Sequence, residues 1–106
     1  MVDFDHIYYE IFIQFSFKLM NTKKKKEVRK LFGDYLRKRR IEILQIKSVR
    51  QLSFSSNLDP SKLGKIEKGK LDIRFDTLIE IALTYKLNPK DLFNFKIDFW
   101  EKESEQ

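Results

Sequence analysis

The sequence predicts a mainly α-helical protein with one compact domain and two short β-strands near its ends. Three observations indicate this fold class. Apolar residues in the middle of the chain recur at spacings of three or four. Residues suited to helix N-caps precede several of these stretches. Near both ends, apolar and polar residues alternate, as they do in half-buried strands. With 106 residues, of which 42% are apolar, the chain can bury one core.

The charge is concentrated in the middle of the chain. The formal net charge is +6, and residues 20–50 carry twelve lysines or arginines against three acids. Both ends are acidic, since acids outnumber basic residues in 1–19 and in 97–106. This distribution favours a polyanionic partner, either nucleic acid or an anionic membrane surface.

Neither catalysis nor metal binding is indicated. The chain has no cysteine, which excludes disulfides, thiol nucleophiles and thiolate zinc sites. Its one histidine, His6, disfavours histidine-based metal sites and a Ser-His-Asp triad. No apolar run reaches the roughly 18 to 20 residues of a membrane helix, and Asp3 and Asp5 stand where a secretory signal needs positive charge. We expect a cytoplasmic protein that is not an enzyme and uses no cofactor or membrane.

Residues 1–26 are predicted to form an extension. Alternating apolar residues predict a strand over 11–19, and the lysine-rich stretch that follows predicts a solvated link. A flexible basic arm laid along DNA is the functional alternative for the lysines. A further alternative starts the protein at Met20 and gives the first nineteen residues no role.

Helices are then predicted over 27–43 and over 48–57, where Ser48 is an N-cap and Asn57 a left-handed turn residue. A third helix, 60–68, begins with Asp59 as N-cap and Pro60 at its first position, and it ends at Gly69.

The remainder of the chain is predicted to hold a longer helix, a single turn and a strand. Asp76 is the expected N-cap of the longer helix, whose apolar stripe reaches Tyr85. Pro89 opens the turn. The alternation of apolar and polar residues predicts a strand over 93–99, within a C-terminal strand and tail of 94–106.

Two short helices joined by a tight turn have the geometry of a helix-turn-helix. Four pieces of sequence make this specific: LFGDYLRKRR at 31–40, SVRQLS at 48–53, LDPSKLGKIEKGK at 58–70 and FDTLIEIALTYKLNPKDLF at 75–93. In these pieces the chain resembles the XRE family of lambda-repressor and Cro-like DNA-binding domains. The resemblance implies a five-helix domain over 27–93. The glycine that is customary between the first two helices is absent from 44–47.

The resemblance also implies roles for individual residues. The helix 60–68 would lie in the major groove of double-stranded DNA, where Ser61, Lys62 and Lys65 face base edges. Glu67 would pair with Arg40 to hold the fold together. Phosphate contacts are expected from one further set of residues: Ser48, Arg50, Lys68, Lys70 and Arg74.

The implied function is a sequence-specific transcriptional regulator, most simply a repressor that occupies promoter DNA. We expect residues 11–19 to pair with 93–99, within one chain or across a dimer, in a sheet that joins two copies of the protein. Such a homodimer would bind a palindromic operator with half-sites about 34 Å apart. The alternative is an antitoxin-like protein-interaction module that keeps the fold and binds DNA secondarily.

Overall fold

The computed structural model describes the backbone of residues 4–99 and the side chains of residues 6–13 and 21–99. The chain is mainly helical. Its elements are α1 (Phe4–Lys38), a π-helical turn (Arg39–Ile43), α2 (Val49–Ser53), α3 (Pro60–Glu67), α4 (Phe75–Thr84) and a 3-10 turn (Pro89–Asp91). Within residues 4–99 there is no β-strand.

The strand and the link predicted in the first 26 residues are wrong, because α1 runs without interruption through both. The alternation that predicted a strand also satisfies helical spacing, since Ile11, Phe15 and Leu19 are four residues apart. No glycine or proline interrupts the chain between Phe4 and Phe32, and lysine is a good helix former. The predicted boundary between extension and domain at 26/27 therefore falls inside one helix.

The predicted strand over 93–99 is also wrong. Phe93 and Phe95 instead pack their rings on Phe32, at 5.5 and 6.2 Å between centroids, and Phe95 lies 5.4 Å from Tyr35. Residues 11–19 and 93–99 are therefore not paired as strands. The backbone N–H and C=O groups of a helix are hydrogen-bonded to each other. Residues 93–99 can therefore pack on the side chains of α1 but cannot pair with its backbone as a strand. The predicted tail from 100 onward lies outside the described residues.

The core lies where the second part of α1 meets α2, α3 and α4. Its largest fully buried side chains come from every one of these helices: Leu36, Leu52, Leu63, Ile66, Ile81 and Tyr85. Among the described side chains of α1, those that belong to or pack against this core are Phe32, Tyr35 and Leu36.

The link between α2 and α3 is longer than predicted, since α2 ends at Ser53. In this link, serine side chains form hydrogen bonds with backbone groups. The Ser55 hydroxyl donates to the carbonyl of Leu52 at 3.3 Å, and the Leu58 N–H donates to the Ser56 hydroxyl at 3.0 Å. Such local hydrogen bonds compete with the helix. Asn57 is not left-handed; its side-chain amide donates to Glu80 at 3.2 Å.

The later elements begin close to their predicted positions. Arg74, and not Asp76, is the N-cap of α4, and its side chain makes no capping bond. Pro89 opens the 3-10 turn as expected, and the Asn88 side chain accepts a hydrogen bond from the N–H of Lys90 at 3.2 Å. In the described part of the chain, no helix is long and apolar enough to cross a membrane.

Candidate nucleic-acid interface

The helices α2 and α3 are both fixed at their starts by side-chain caps. The Ser48 hydroxyl accepts a hydrogen bond from the N–H of Gln51 at 3.1 Å, and the Asp59 carboxylate accepts one from the N–H of Lys62 at 2.8 Å. Pro60 occupies the first turn of α3, where its missing N–H costs nothing. Both caps predicted from the sequence are present.

The end of α3 is fixed as firmly as its start. Gly69 has φ +71°, a left-handed conformation that glycine adopts at little cost. The N–H of Gly69 donates to the carbonyl of Ile66 at 3.0 Å, and that of Lys70 donates to the carbonyl of Lys65 at 2.9 Å. These two bonds form a Schellman motif, which sets the direction in which the chain leaves α3.

A buried ion pair ties α3 to the end of α1. Arg40 donates two hydrogen bonds to the Glu67 carboxylate, from Nε to Oε2 and from Nη2 to Oε1, both 2.9 Å long. Both residues are buried. A third bond runs from Arg40 Nη1 to the carbonyl of Ile46 at 3.0 Å. The two parallel bonds restrict both side chains, so the predicted pairing of Arg40 with Glu67 is present.

Tyr85 completes this buried cluster from α4. Its hydroxyl donates to Glu67 Oε2 at 2.6 Å. Burial, followed by the bond to Glu67 and the charge of that carboxylate, raises the pKa of Tyr85 well above its ordinary value. The hydrogen bonds that Arg40 donates to Glu67 raise the pKa of Arg40, although burial opposes this. Tyr85 is therefore a neutral donor and Arg40 a permanent cation at neutral pH.

Gly33 lets α1 approach the end of α3 closely. A Cβ built on Gly33 would lie 2.3 Å from the carbonyl oxygen of Glu67 and 2.6 Å from that of Ile66. Any larger residue must push the two backbones apart. Gly69 is equally close to α1 on the other side, since its Cβ would meet the Cα of Lys30 at 2.6 Å.

The fixed position of α3 presents one of its faces to the outside. Leu63, Ile66 and Glu67 are buried, and at 3.6 residues per turn Ser61 and Lys65 lie on the opposite side. Ser61, Lys62 and Lys65, the predicted base-contacting residues, are all exposed. Ser61 and Lys65 share one face, while Lys62 lies at its margin.

The residues predicted to contact phosphate are exposed as well: Ser48, Arg50, Lys68, Lys70 and Arg74. Lys68 adjoins the outward face of α3, and Lys70 and Arg74 begin and end the connection to α4. Among the described residues, none of these cations forms a salt bridge with an acid. Their charges are therefore available to an anionic ligand.

Three residues that the sequence reasoning missed also shape the site. Arg39 donates to the carbonyls of Tyr85 and Lys86 at 2.6 and 2.7 Å, and so caps the end of α4. Gln45 has φ +56°, so a non-glycine residue takes a left-handed conformation in the stretch 44–47, which contains no glycine. The Tyr85 hydroxyl could have been anticipated, because a buried phenol usually needs a hydrogen-bond partner.

In the part of the chain that the structure describes, no group of three or more histidines, cysteines or acids is placed to hold a metal ion.

The comparisons with known proteins found no match to a family model, to a curated protein or to a solved structure.

Proposed function

We propose that this protein is a sequence-specific double-stranded DNA-binding regulator with a lambda-repressor-like helix-turn-helix domain, in which α3 enters the major groove. One observation carries the proposal: α3 exposes Ser61, Lys65 and the adjoining Lys68 without acidic partners, while its opposite side is buried. A helix of this kind fits the major groove, where lysine and serine can reach base edges.

The support behind α3 strengthens this proposal. Reading bases requires that side chains be held in a defined position relative to the phosphates. The caps at Asp59 and Gly69 fix both ends of the helix, and the Arg40–Glu67 pair fixes its inner side. The helix can therefore present Lys65 to a base without first becoming ordered.

The cations around α3 supply the sequence-independent part of binding. Lys68, Lys70 and Arg74 follow the outward face, and Arg50 lies on α2. Each phosphate that they neutralise releases counterions, so affinity should fall steeply as salt rises. Occupying promoter DNA in this way would make the protein a repressor, acting in the cytoplasm as a homodimer on a palindromic site.

The test is a selection of bound sequences from a random duplex pool at about 150 mM salt, where non-specific binding is weakened. The proposal expects an enriched motif that contains G, since lysine favours the O6 and N7 acceptors of guanine. Salt-sensitive binding with no enriched motif would contradict sequence-specific recognition.

Lysine variants then separate base contacts from phosphate contacts. Lys65→Ala should cost about 1 to 3 kcal/mol on the selected site and little on random DNA. Lys68→Ala should weaken binding to all DNA by a similar factor. Lys90→Ala, on the 3-10 turn, removes the same charge from another part of the protein and should change neither. Equal losses for Lys65→Ala on every sequence would contradict its assignment as a base contact.

An antitoxin-like interaction module is the second candidate, favoured by the exposed apolar residues at the start of α1. It predicts that the same selection yields no motif and that a protein partner binds through these residues.

A further inference from the structure

The end of α3 meets α1 at Gly69, and both sides of this contact are basic. A Cβ built on Gly69 would lie 2.6 Å from the Cα of Lys30 and 3.0 Å from the carbonyl carbon of Arg29. Gly69 is itself flanked by Lys68 and Lys70, which are both exposed. The cations at the end of α3 therefore lie next to cations of α1 that are distant in the sequence.

The basic residues of α1 near this contact share one side of the helix. At about 100° per residue, Lys26 lies within about 20° of the direction of Gly33, where α1 touches the last turn of α3. Arg29 and Lys30 lie within about 60° of that direction. Lys26 and Lys30 are exposed, and Arg29 is half-buried. Because Lys26 precedes Lys30 by about 6 Å along the helix axis, the basic side extends about one turn past the contact at Gly69.

No acid offsets the charge around Lys26. Side chains three and four positions apart are neighbours on a helix, and the charged residues at those positions around Lys26 are Lys23, Arg29 and Lys30. Among the described residues, no salt bridge joins any of these four cations to an acid. Like charges at this spacing destabilise a helix. An anionic ligand that binds across them removes this repulsion.

The acids in this part of α1 lie to one side of these cations. Asp34 and Glu27 are about 100° and 120° from the direction of Gly33. They line a groove against Phe99, and Lys30 stands at the edge of that groove. The side of α1 that faces the end of α3 is thus purely basic, and the helix becomes mixed in charge only beyond Lys30.

We propose that Lys26, Arg29 and Lys30, here called the α1 basic surface, bind DNA phosphates next to those bound by Lys68 and Lys70. The inference rests on the proposed function, and it adds α1 to the part of the protein that contacts DNA. Each phosphate that these cations neutralise contributes affinity without sequence information.

A helix suits this contact better than a flexible arm. Flexible side chains and loops lose conformational freedom when they bind, whereas α1 is helical through the whole lysine-rich stretch. The close contacts at Gly33 and Gly69 fix its position relative to α3. The α1 basic surface is therefore already in place when α3 binds.

The first experiment measures binding of the full chain to a random-sequence duplex over a range of salt concentrations. Lys26→Gln/Lys30→Gln removes two exposed charges and introduces a residue that favours a helix. The slope of log affinity against log salt should become shallower by about 2, since each phosphate contact contributes about 1. Lys86→Gln/Lys90→Gln removes the same charge from exposed positions after α4 and should leave the slope unchanged. Circular dichroism verifies that both variants fold.

The outcomes separate this inference from the proposed function. Equal slopes for the wild type and Lys26→Gln/Lys30→Gln, or equal losses in the two double variants, overturn the α1 basic surface and leave the proposed function standing. A wild type that binds no DNA overturns both. If Lys26→Gln/Lys30→Gln loses binding to vesicles of phosphatidylserine and phosphatidylcholine while its DNA slope is unchanged, the surface binds a membrane and the inference is overturned.

A second experiment tests whether the cations of α1 and α3 form one surface. Ethylation of single phosphates in a bound duplex identifies those whose charge the protein needs. Lys26→Gln/Lys30→Gln should become insensitive to ethylation at some of these phosphates, and Lys68→Ala should become insensitive at adjacent ones. If the two sets of phosphates are not adjacent on the duplex, the continuity of the surface is refuted.

Discussion

Residues 6–13 near the start of α1, called the leading segment, and residues 28–36 of the same helix are both helical and both rich in apolar residues, yet they differ in burial. In the later segment Phe32 and Leu36 are buried, whereas Phe12 in the leading segment is mostly exposed. The difference lies in what each segment meets. Gly33 allows α3 to cross the later segment at backbone distance. Helix formation and burial are thus decided separately along one continuous element.

The largest effect on the free energy of unfolding is expected just after α1, where the Arg40–Glu67 ion pair joins this end of the helix to α3. Arg40→Met should lower the free energy of unfolding by about 3 to 5 kcal/mol, because it leaves the Glu67 carboxylate buried without its cation. Denaturation in urea measures this. The double variant Arg40→Met/Glu67→Leu should recover much of the loss. If the double variant is no more stable than the single variant, the unpaired buried carboxylate is not the cause of the loss.

Truncation of one apolar residue in each segment compares the two directly. Leu36→Ala should cost about 2 to 5 kcal/mol, because Leu36 is fully buried. Phe12→Ala should cost less than about 0.5 kcal/mol at protein concentrations low enough to keep the chain monomeric. Urea denaturation of the two variants side by side is the measurement. A comparable loss for Phe12→Ala would mean that the leading segment packs on the domain.

Substitution of two glycines tests whether the close approach of α3 at Gly33 accounts for the burial of residues 28–36. Gly33→Ala should destabilise the fold by about 1 to 3 kcal/mol, since its Cβ would collide with the carbonyl oxygens of Ile66 and Glu67. Gly64→Ala, within α3, meets no atom within 4 Å and should stabilise the helix by up to about 1 kcal/mol. Thermal melts of both variants give the signs, and a stabilising Gly33→Ala would refute the close crossing.

The smallest effect is a dependence of stability on alkaline pH. The pKa of Tyr85 is raised in the folded protein by burial and by Glu67, while an unfolded tyrosine ionises near pH 10. The stabilisation is therefore complete below pH 10 and is lost as pH rises above it. Between pH 10 and 11 the free energy of unfolding should fall by about 1 kcal/mol more in the wild type than in Tyr85→Phe. Parallel curves for the two proteins would exclude this contribution.

Features with a strong local signal were predicted from the sequence. Ser48, Asp59 with Pro60, Gly69 and Pro89 mark helix ends where the structure has them. Each of these helix ends depends on the conformation or hydrogen bonding of one or two neighbouring residues, and residue type alone is a good predictor of both. The exposure of Ser61 and Lys65 followed from the same helical spacing.

The wrong predictions arose where local patterns were ambiguous. Ile11, Phe15 and Leu19 fit both a strand and a helix, and only the continuation into the lysines and the packed segment favours the helix. The aromatic alternation of 93–99 reflects packing of Phe93 and Phe95 on Phe32, a contact between distant residues. The pairing of Tyr85 with Glu67 likewise depends on tertiary structure.

The continuity of α1 makes it a rod whose two ends are coupled in angle as well as in distance. Between the leading segment and Gly33 each residue adds about 1.5 Å of length and about 100° of rotation. Whatever holds the leading segment therefore also sets the direction in which α3 points. An insertion of one residue among the lysines would turn the domain by more than a quarter of a circle, whereas an insertion of seven residues would nearly restore its phase. The number of residues between the two ends of this helix therefore sets the angle between them, and it matters more for that angle than which residues they are.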